Sequence, residues 1–436
     1  MLSFIYLYCM KSAKLPSVAK GYFAFSMALS SLMLAACPVS SQTYDDPAIK
    51  AKAAEIHAAV LTLDTHADVP MYMVSHPRFD LSKTHNSRTT GSRVDFPRMK
   101  QGGMDALFFA VYLGQGPRTD SGNAAAKRRA KVLFDVIHRN VADHPDLAGL
   151  ATTPEDAYAL EKEGKRAVFI GVENGWAIGR DLSLLKTYYD WGARYMTLSH
   201  TRNNDICDSS TDPKGAEHHG LSAFGEEVVK EMNRLGMLVD ISHTSDETFW
   251  DCLALSKAPI VASHSSARAL YGHRRNLSDE MIKALAAKGG VIQMNMYTGY
   301  LKSENPKRVA AMKALQKKYP RVNELTDAER EARSAALQEI NTNYPTVLAT
   351  LQQVADHIDH IVELVGVDYV GIGADLNGGG GVRGMYDVSE AGNITYELVK
   401  RGYSEEDIRK IWGGNFFRVM KEAQRVAKEL NYFPRR

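Results

Sequence analysis

The sequence predicts an α/β fold in which eight parallel strands close into a (β/α)8, TIM-type barrel, and three observations predict it. A short apolar, β-branched run, a polar loop and an amphipathic helical stretch recur in that order along the chain, the pattern of βα units around a parallel sheet. Eight such runs follow one another in a continuous series, which favours a closed barrel over an open doubly wound sheet. No G-x-G-x-x-G follows the first run, which argues against a dinucleotide fold.

The 436 residues begin with a segment that does not belong to the barrel. Lys11, Lys14 and Lys20 make a basic n-region and residues 21–36 an apolar h-region, too short for a comfortable membrane span. It ends in Leu34-Ala35-Ala36-Cys37, which resembles a bacterial lipobox. Residues 1–36 are thus read as a signal peptide, Cys37 as the lipidated residue and 37–50 as the tether of a lipid anchor. The chain is expected to be exported and held on the bacterial cell envelope, at the periplasmic or outer-membrane face. The competing reading is an ordinary secretory signal with Cys37 incidental. The residues before Met10 do not resemble a signal peptide, which leaves Met10 as an alternative start.

The barrel is assigned to residues 51–430. A helical segment over 46–60 leads into candidate strands at 60–65, 104–112, 166–172, 193–199, 237–242, 259–263, 290–296 and 369–374. Between the seventh and eighth lies a stretch rich in Lys, Arg, Glu and Ala, read as a helical insertion over 302–345 on the barrel rim. Its charges are those of a solvated helix surface. Composition is that of a globular protein, with 44% hydrophobic and 24% charged residues. The net charge of +2, from 53 basic and 51 acidic residues, gives no electrostatic case for nucleic acid. Among the four cysteines no C-x-x-C pair occurs, so neither a zinc knuckle nor a thioredoxin-type site is indicated. Cys207 and Cys252 either pair in an oxidising compartment or stay as free thiols.

The residues at the C-terminal ends of the candidate strands point to the chemistry. The first strand runs into His66-Ala67-Asp68, the third into Glu173, the fourth into His200, the fifth into His243, the sixth into His264 and the eighth into Asp375. In a barrel those ends converge on one face, where active sites sit. Singly, each has a bland reading as a capping carboxylate or a satisfied core histidine; six together at strand ends do not. Imidazole and carboxylate without thiolate suit zinc, manganese or iron. His66 and Asp68, two apart on a strand, point to the same side, and Glu173 has two oxygens with which to bridge two metals. His218, His219, His357 and His360 fall away from strand ends and are read as structural.

At these positions the chain resembles the membrane (renal) dipeptidase family of the amidohydrolase superfamily, as a bacterial lipoprotein-type member. The similarity spans residues 56–426. It is strongest in GLSAFGEEVVKEMNRLGMLVDISHTS and PIVASHSSARALYGHRRNLSD, with D-x-H-x-D, G-V-E, R-Y-x-T-L-x-H and V-G-I-G-x-D in matching order. The resemblance implies a metal-dependent hydrolase barrel with two zinc ions, manganese or iron being the alternatives. It implies that His66 and Asp68 hold one metal, His243 and His264 the other, and that Glu173 bridges them. His200 corresponds to a histidine that contacts substrate and stabilises the oxyanion. Arg275 of H-R-R-N, rather than Arg274, corresponds to the arginine that clamps the substrate carboxylate. Asp375 corresponds to the aspartate beside the nucleophile, and Tyr297 to a pocket tyrosine. The implied reaction is hydrolysis of dipeptides with a free C-terminal carboxylate by metal-activated hydroxide, and a homodimer is the implied assembly. Departures lie on the pocket wall: Asp64-Thr65-His66-Ala67-Asp68 for D-G-H-N-D, Asn174-Gly175-Trp176 for G-G-H, and Leu376-Asn377-Gly378 for F-D-G. Two alternatives compete. One is an amidohydrolase acting on another short amide or lactone, such as an N-acyl amino acid or a β-lactam. The other is a non-catalytic metal- or partner-binding lipoprotein, which the intact ligand set disfavours.

Overall fold

The computed structural model describes residues 46–319 and 325–432. Cys37, the signal segment 1–36 and most of the tether 37–50 lie outside the described residues. The first helix, Pro47–Ala59, already begins inside the stretch read as tether. The Asp46 carboxylate accepts from the N–H groups of Ala48 (3.0 Å) and Ile49 (3.2 Å), and a proline stands at the first helical position, where no N–H is needed.

Among the described residues nine strands follow, all paired in parallel: β1 (Leu63–Ala67), β2 (Ala106–Tyr112), β3 (Ala148–Leu150), β4 (Arg166–Glu173), β5 (Ala193–Thr197), β6 (Leu238–Asp240), β7 (Val261–Ser265), β8 (Val291–Met294) and β9 (Val370–Ile372). Eight of them run β1-β2-β4-β5-β6-β7-β8-β9 around the barrel. The circuit closes just beyond β9, where the Asp375 N–H donates to the His66 carbonyl (3.1 Å) and the Asp68 N–H to the Leu376 carbonyl (2.8 Å). The eight expected strands are therefore present. The ninth, β3, was not expected: three residues, Ala-Gly-Leu, carry no periodicity, and β3 pairs only with the start of β4.

Side chains alternate across each strand. Ala106, Phe108, Ala167 and Phe169 join Leu63, Tyr195, Leu238, Val261 and Val291 in an apolar cluster inside the barrel. Leu107, Phe109, Val168, Ile170 and Val172 belong instead to the cluster between strands and helices. The floor of the barrel is plugged by the last helix, Asn415–Tyr432, whose Phe416 meets Phe108 edge-on at 5.3 Å, while Phe108 stacks on Phe169 at 4.8 Å. Above this layer the Tyr195 ring crosses the interior. Gly171 makes room for it, since a Cβ there would lie 2.0 Å from that ring.

Between β8 and β9 the helices Pro306–Lys318 and Asp327–Asn343 form the expected insertion. They pack on a small cluster of their own, Leu315, Tyr319, Leu325 and Ile340. Cys207 and Cys252 are buried, free thiols. Among the described residues no helix is long and apolar enough to cross a membrane.

Candidate metal centre

The barrel brings the sequence-predicted ligands to one face. His66 lies within β1 and His264 within β7; Asp68 follows β1 directly, and Glu173 ends β4. His200, His243 and Asp375 each come three residues after β5, β6 and β9. His243 and Asp375 have φ of 71° and 61°, left-handed values that are strained for side-chain-bearing residues and collect at functional sites.

Glu173 stands at the centre, 2% exposed. Its Oε2 lies 3.3 Å from His66 Nε2. Its Oε1 lies 3.0 Å from His243 Nε2 and 3.6 Å from both His264 Nε2 and His200 Nε2. The two oxygens thus serve two different sets of imidazoles. Among the described residues, three combinations of donor atoms come close enough to share a cation: His66, Glu173 and His264; Glu173, His200 and His243; and His66, Asp68 and Asp375.

The layer beneath fixes the tautomers. The Tyr195 hydroxyl donates to the Thr65 carbonyl (3.0 Å), so toward His66 Nδ1, 2.8 Å away, it acts as acceptor. Likewise the Ser263 hydroxyl donates to Asp240 Oδ2 (2.6 Å) and accepts from His264 Nδ1 (2.8 Å). Both histidines therefore keep a proton on Nδ1 and aim Nε2 into the site, the arrangement by which outer groups orient metal-ligating imidazoles. Asp240 Oδ2 also takes the Thr197 hydroxyl at 2.5 Å, and its Oδ1 takes the N–H groups of Ser242 and Ser263.

These residues fit a divalent cation. His66 Nε2, Asp68 Oδ1 and Glu173 Oε2 are buried with no hydrogen-bond partner, a costly state for polar atoms unless an ion satisfies them. His243 Nε2 and His264 Nε2 approach to 2.9 Å, a separation that one shared proton spans and that brings both nitrogens to the same point of the pocket. Burial and the like charge of Glu173 push Asp68 well above the usual carboxylate range, and burial lifts Asp375 to about 6. Burial opposes charging His66, but Glu173 outweighs it and carries the imidazole up to about 10. Such a pocket calls for positive charge. His243 and His264 are pushed well down, chiefly by burial and then by neighbouring positive charge from Arg275 and His66 respectively. They are accordingly neutral, the ligating form.

Asp68, Tyr112, Glu173, His200, His243, Tyr297, Tyr300 and Asp375 are among the residues lining a cavity of about 330 Å³ over these groups. Gly378 presses its bare backbone onto two of them; a Cβ there would lie 2.2 Å from Asp68 and 2.1 Å from Asp375. Arg275 is 3% exposed and donates to the His264 carbonyl at 3.1 Å, while its Nε is buried and unpartnered. Tyr300 carries that guanidinium over its ring at 5.2 Å. Sequence reading did not single out Tyr300, although it stands one turn beyond Tyr297. It also passed over Tyr112, Tyr195, Asp240 and Ser263. The histidines read as structural have local partners: His218 meets the Asn204 carbonyl, His357 accepts from Ala267 N–H, and His360 meets Asp279. His219 lies in the left-handed region, with φ 57°.

Comparison with known proteins agrees with this geometry. Residues 50–432 match the pattern of the family described as membrane dipeptidase (peptidase family M19). The dipeptidase aclJ of Aspergillus oryzae is 32% identical over 78% of this chain and 72% of its own length. The dipeptidase verJ of Clonostachys rogersoniana is 31% identical over 87% and 88% respectively. The crystal structure of the probable dipeptidase PvdM from Pseudomonas aeruginosa superposes with a TM-score of 0.75 at 31% identity, covering 87% of this chain and 99% of that one.

Proposed function

The chain belongs to the membrane dipeptidase family, peptidase family M19, and is a metal-binding peptidase on a (β/α)8 barrel; from that premise we propose that it cleaves dipeptides with a free C-terminal carboxylate, using two zinc ions bridged by Glu173. The observation that carries this reading is the split of Glu173, with Oε2 toward His66 and Oε1 toward His243 and His264. In this assignment His66 and Asp68 hold one ion, and His243 and His264 the other. Manganese or iron would suit the same donors. When bound, such a pair supplies Lewis-acid polarisation of the scissile carbonyl and a water acidic enough to ionise near neutral pH.

The chain's own residues perform the remaining tasks. His200 presents Nε2 to the pocket and donates to the oxyanion, an effect worth about 3–4 kcal/mol in comparable sites. Asp375 takes the proton of the attacking water and returns it to the leaving nitrogen. Arg275, held from behind by the His264 carbonyl and the Tyr300 ring, clamps the C-terminal carboxylate in a bidentate geometry that lysine cannot copy. Tyr297 shapes the wall beside it. An anchor for the amine near Asp375 and one for the carboxylate at Arg275 together limit the substrate to two residues.

A dipeptide library assayed with metal-stripped protein, reconstituted ion by ion, tests this reading. Hydrolysis should return with two zinc ions per chain, and C-terminally amidated dipeptides should be poor substrates. Arg275→Ala should raise KM far more than it changes metal content. Full turnover with less than one metal per chain, or an unchanged KM in that variant, would refute the scheme. The same reading extends to location: a lipid on Cys37 holds the enzyme on the cell envelope, and Cys37→Ser would move it from the detergent phase to the aqueous phase. The homodimer implied by the family resemblance is read by sedimentation of the purified chain.

A further inference from the structure

A second cavity, of about 500 Å³, shares no lining residue with the catalytic pocket. Its wall is cationic. Arg88, Lys302 and Arg383 line it against one carboxylate, Glu390, and Glu390 already accepts the Tyr386 N–H at 2.6 Å. A fourth cation stands at Tyr386: Arg88 and Arg93 lie over its ring, 3.5 and 4.5 Å from the centroid. None of the four basic side chains forms an ion pair among the described residues, and Arg93 Nη1 is buried without a hydrogen-bond partner. Like charges gathered on one ring repel unless something neutralises them.

Two further features point the same way. Thr350, the N-cap of the helix Leu351–Val365, lines the cavity, so the positive end of that helix adds to the field. Val347 and Leu348 give the cavity an apolar edge, which suits an organic ligand better than a bare ion.

We propose that this cavity is a second binding site, separate from the metal centre, for a small molecule carrying a carboxylate or phosphate oxyanion. Arg88 and Arg383 are its exposed anchors, fork-shaped donors matched to planar or tetrahedral oxyanions. The site is joined to the catalytic one by the loop that follows Asp375. The Arg93 N–H donates to Asn377 Oδ1 at 2.9 Å, and its Nη1 packs on the bare backbone of Gly381, where a Cβ would lie 2.1 Å away.

Calorimetric titration of the metal-loaded enzyme, its metal centre occupied by a non-hydrolysable dipeptide analogue, with inorganic phosphate and, separately, with succinate at constant ionic strength tests the proposal. The two probes distinguish a phosphate from a carboxylate ligand. At least one should bind more tightly than chloride, and the Arg88→Gln/Arg383→Gln double variant should weaken it by about tenfold or more. Lys421→Gln/Arg425→Gln, at a basic surface elsewhere on the barrel, should leave it unchanged. The altered side chains are exposed, and an unchanged melting temperature would show that the double variant is folded. Equal binding by the double variant and the wild type, equal losses in both double variants, or no binding beyond that of chloride would each overturn the proposal.

Discussion

The two ends of the barrel use the same strands for opposite purposes. At the floor, Phe108, Phe169 and Phe416 are fully packed and make ring contacts on several sides. At the mouth, a layer or two higher, His66, Asp68 and Glu173 are as deeply buried but leave polar atoms without partners, and His243 and Asp375 sit in strained backbone. The floor contributes stability through apolar burial; the mouth is a cost to the apo-protein that a bound cation offsets. The difference teaches how a barrel can hold several carboxylates and imidazoles within contact of one another: the unfavourable layer rests on a favourable one.

The largest expected effect comes from the mouth. Glu173→Gln keeps the shape but replaces one of the two oxygens by an amide donor facing lone pairs. Turnover should be lost and metal content should fall below two per chain, while the apo-protein should lose less stability than a floor variant does, because His66 can give up the proton that the Glu173 charge held on it. A marked fall in apo-protein stability would break the comparison, since Glu173 would then be holding the fold together.

The floor should answer in the reverse sense. Phe416→Ala removes a ring packed against Phe108 and should destabilise the protein by about 3–5 kcal/mol, read from denaturant unfolding. The folded fraction should bind the full complement of metal. If it lost metal in proportion, the two ends would be one cooperative unit.

Acid sharpens the contrast without a mutation at either end. His357, 2% exposed, accepts the Ala267 N–H, and burial pushes its imidazole down from 6.5 to about 4. The folded value lies below the unfolded one, so the unfolded chain takes up the proton first. The stabilisation is complete above about pH 6.5 and is lost as pH falls toward 4, by at most about 3 kcal/mol. His357→Asn, which retains an acceptor, should flatten the wild-type decline in apo-protein stability between pH 7 and 4. Parallel curves would assign the acid sensitivity elsewhere.

The same contrast explains what the sequence reveals. His66, Glu173, His243 and His264 were legible because charged and imidazole groups at the ends of apolar runs have few structural reasons to be there. The eight barrel strands were legible because their runs are apolar and β-branched; β3, with three residues and one partner, was not. Tyr195, Asp240 and Ser263 escaped because their work depends on orientation. A tyrosine in a strand reads as core, and an aspartate before a loop reads as a cap. Only the fold shows one hydroxyl under His66 and a serine–aspartate pair under His264. The cations at 88, 93, 302 and 383 are as distant in sequence as the ligands, but they sit in loops and one short helix, Ser87–Thr90, with no strand end to mark them.

Asp240 lies at the boundary between the two regions, and the smallest expected effect tests whether the layer beneath governs the mouth. Its Oδ2 accepts the Thr197 and Ser263 hydroxyls together, so in Asp240→Asn any amide rotamer must turn a donor toward groups that are themselves donors. The Ser263 hydroxyl would then be free to donate to His264 Nδ1. That moves the imidazole proton to Nε2, where the ligating lone pair had been. Metal affinity should drop about 10–100-fold, and Ser263→Ala, which removes the hydroxyl but leaves Asp240 charged, should produce part of that loss. The tautomer can be read directly from the His264 ring nitrogens by NMR of the apo-protein. If Asp240→Asn shifts the melting temperature but leaves both the tautomer and the metal affinity as in the wild type, then Asp240 only supports the strands, and the mouth is set by its own ligands alone.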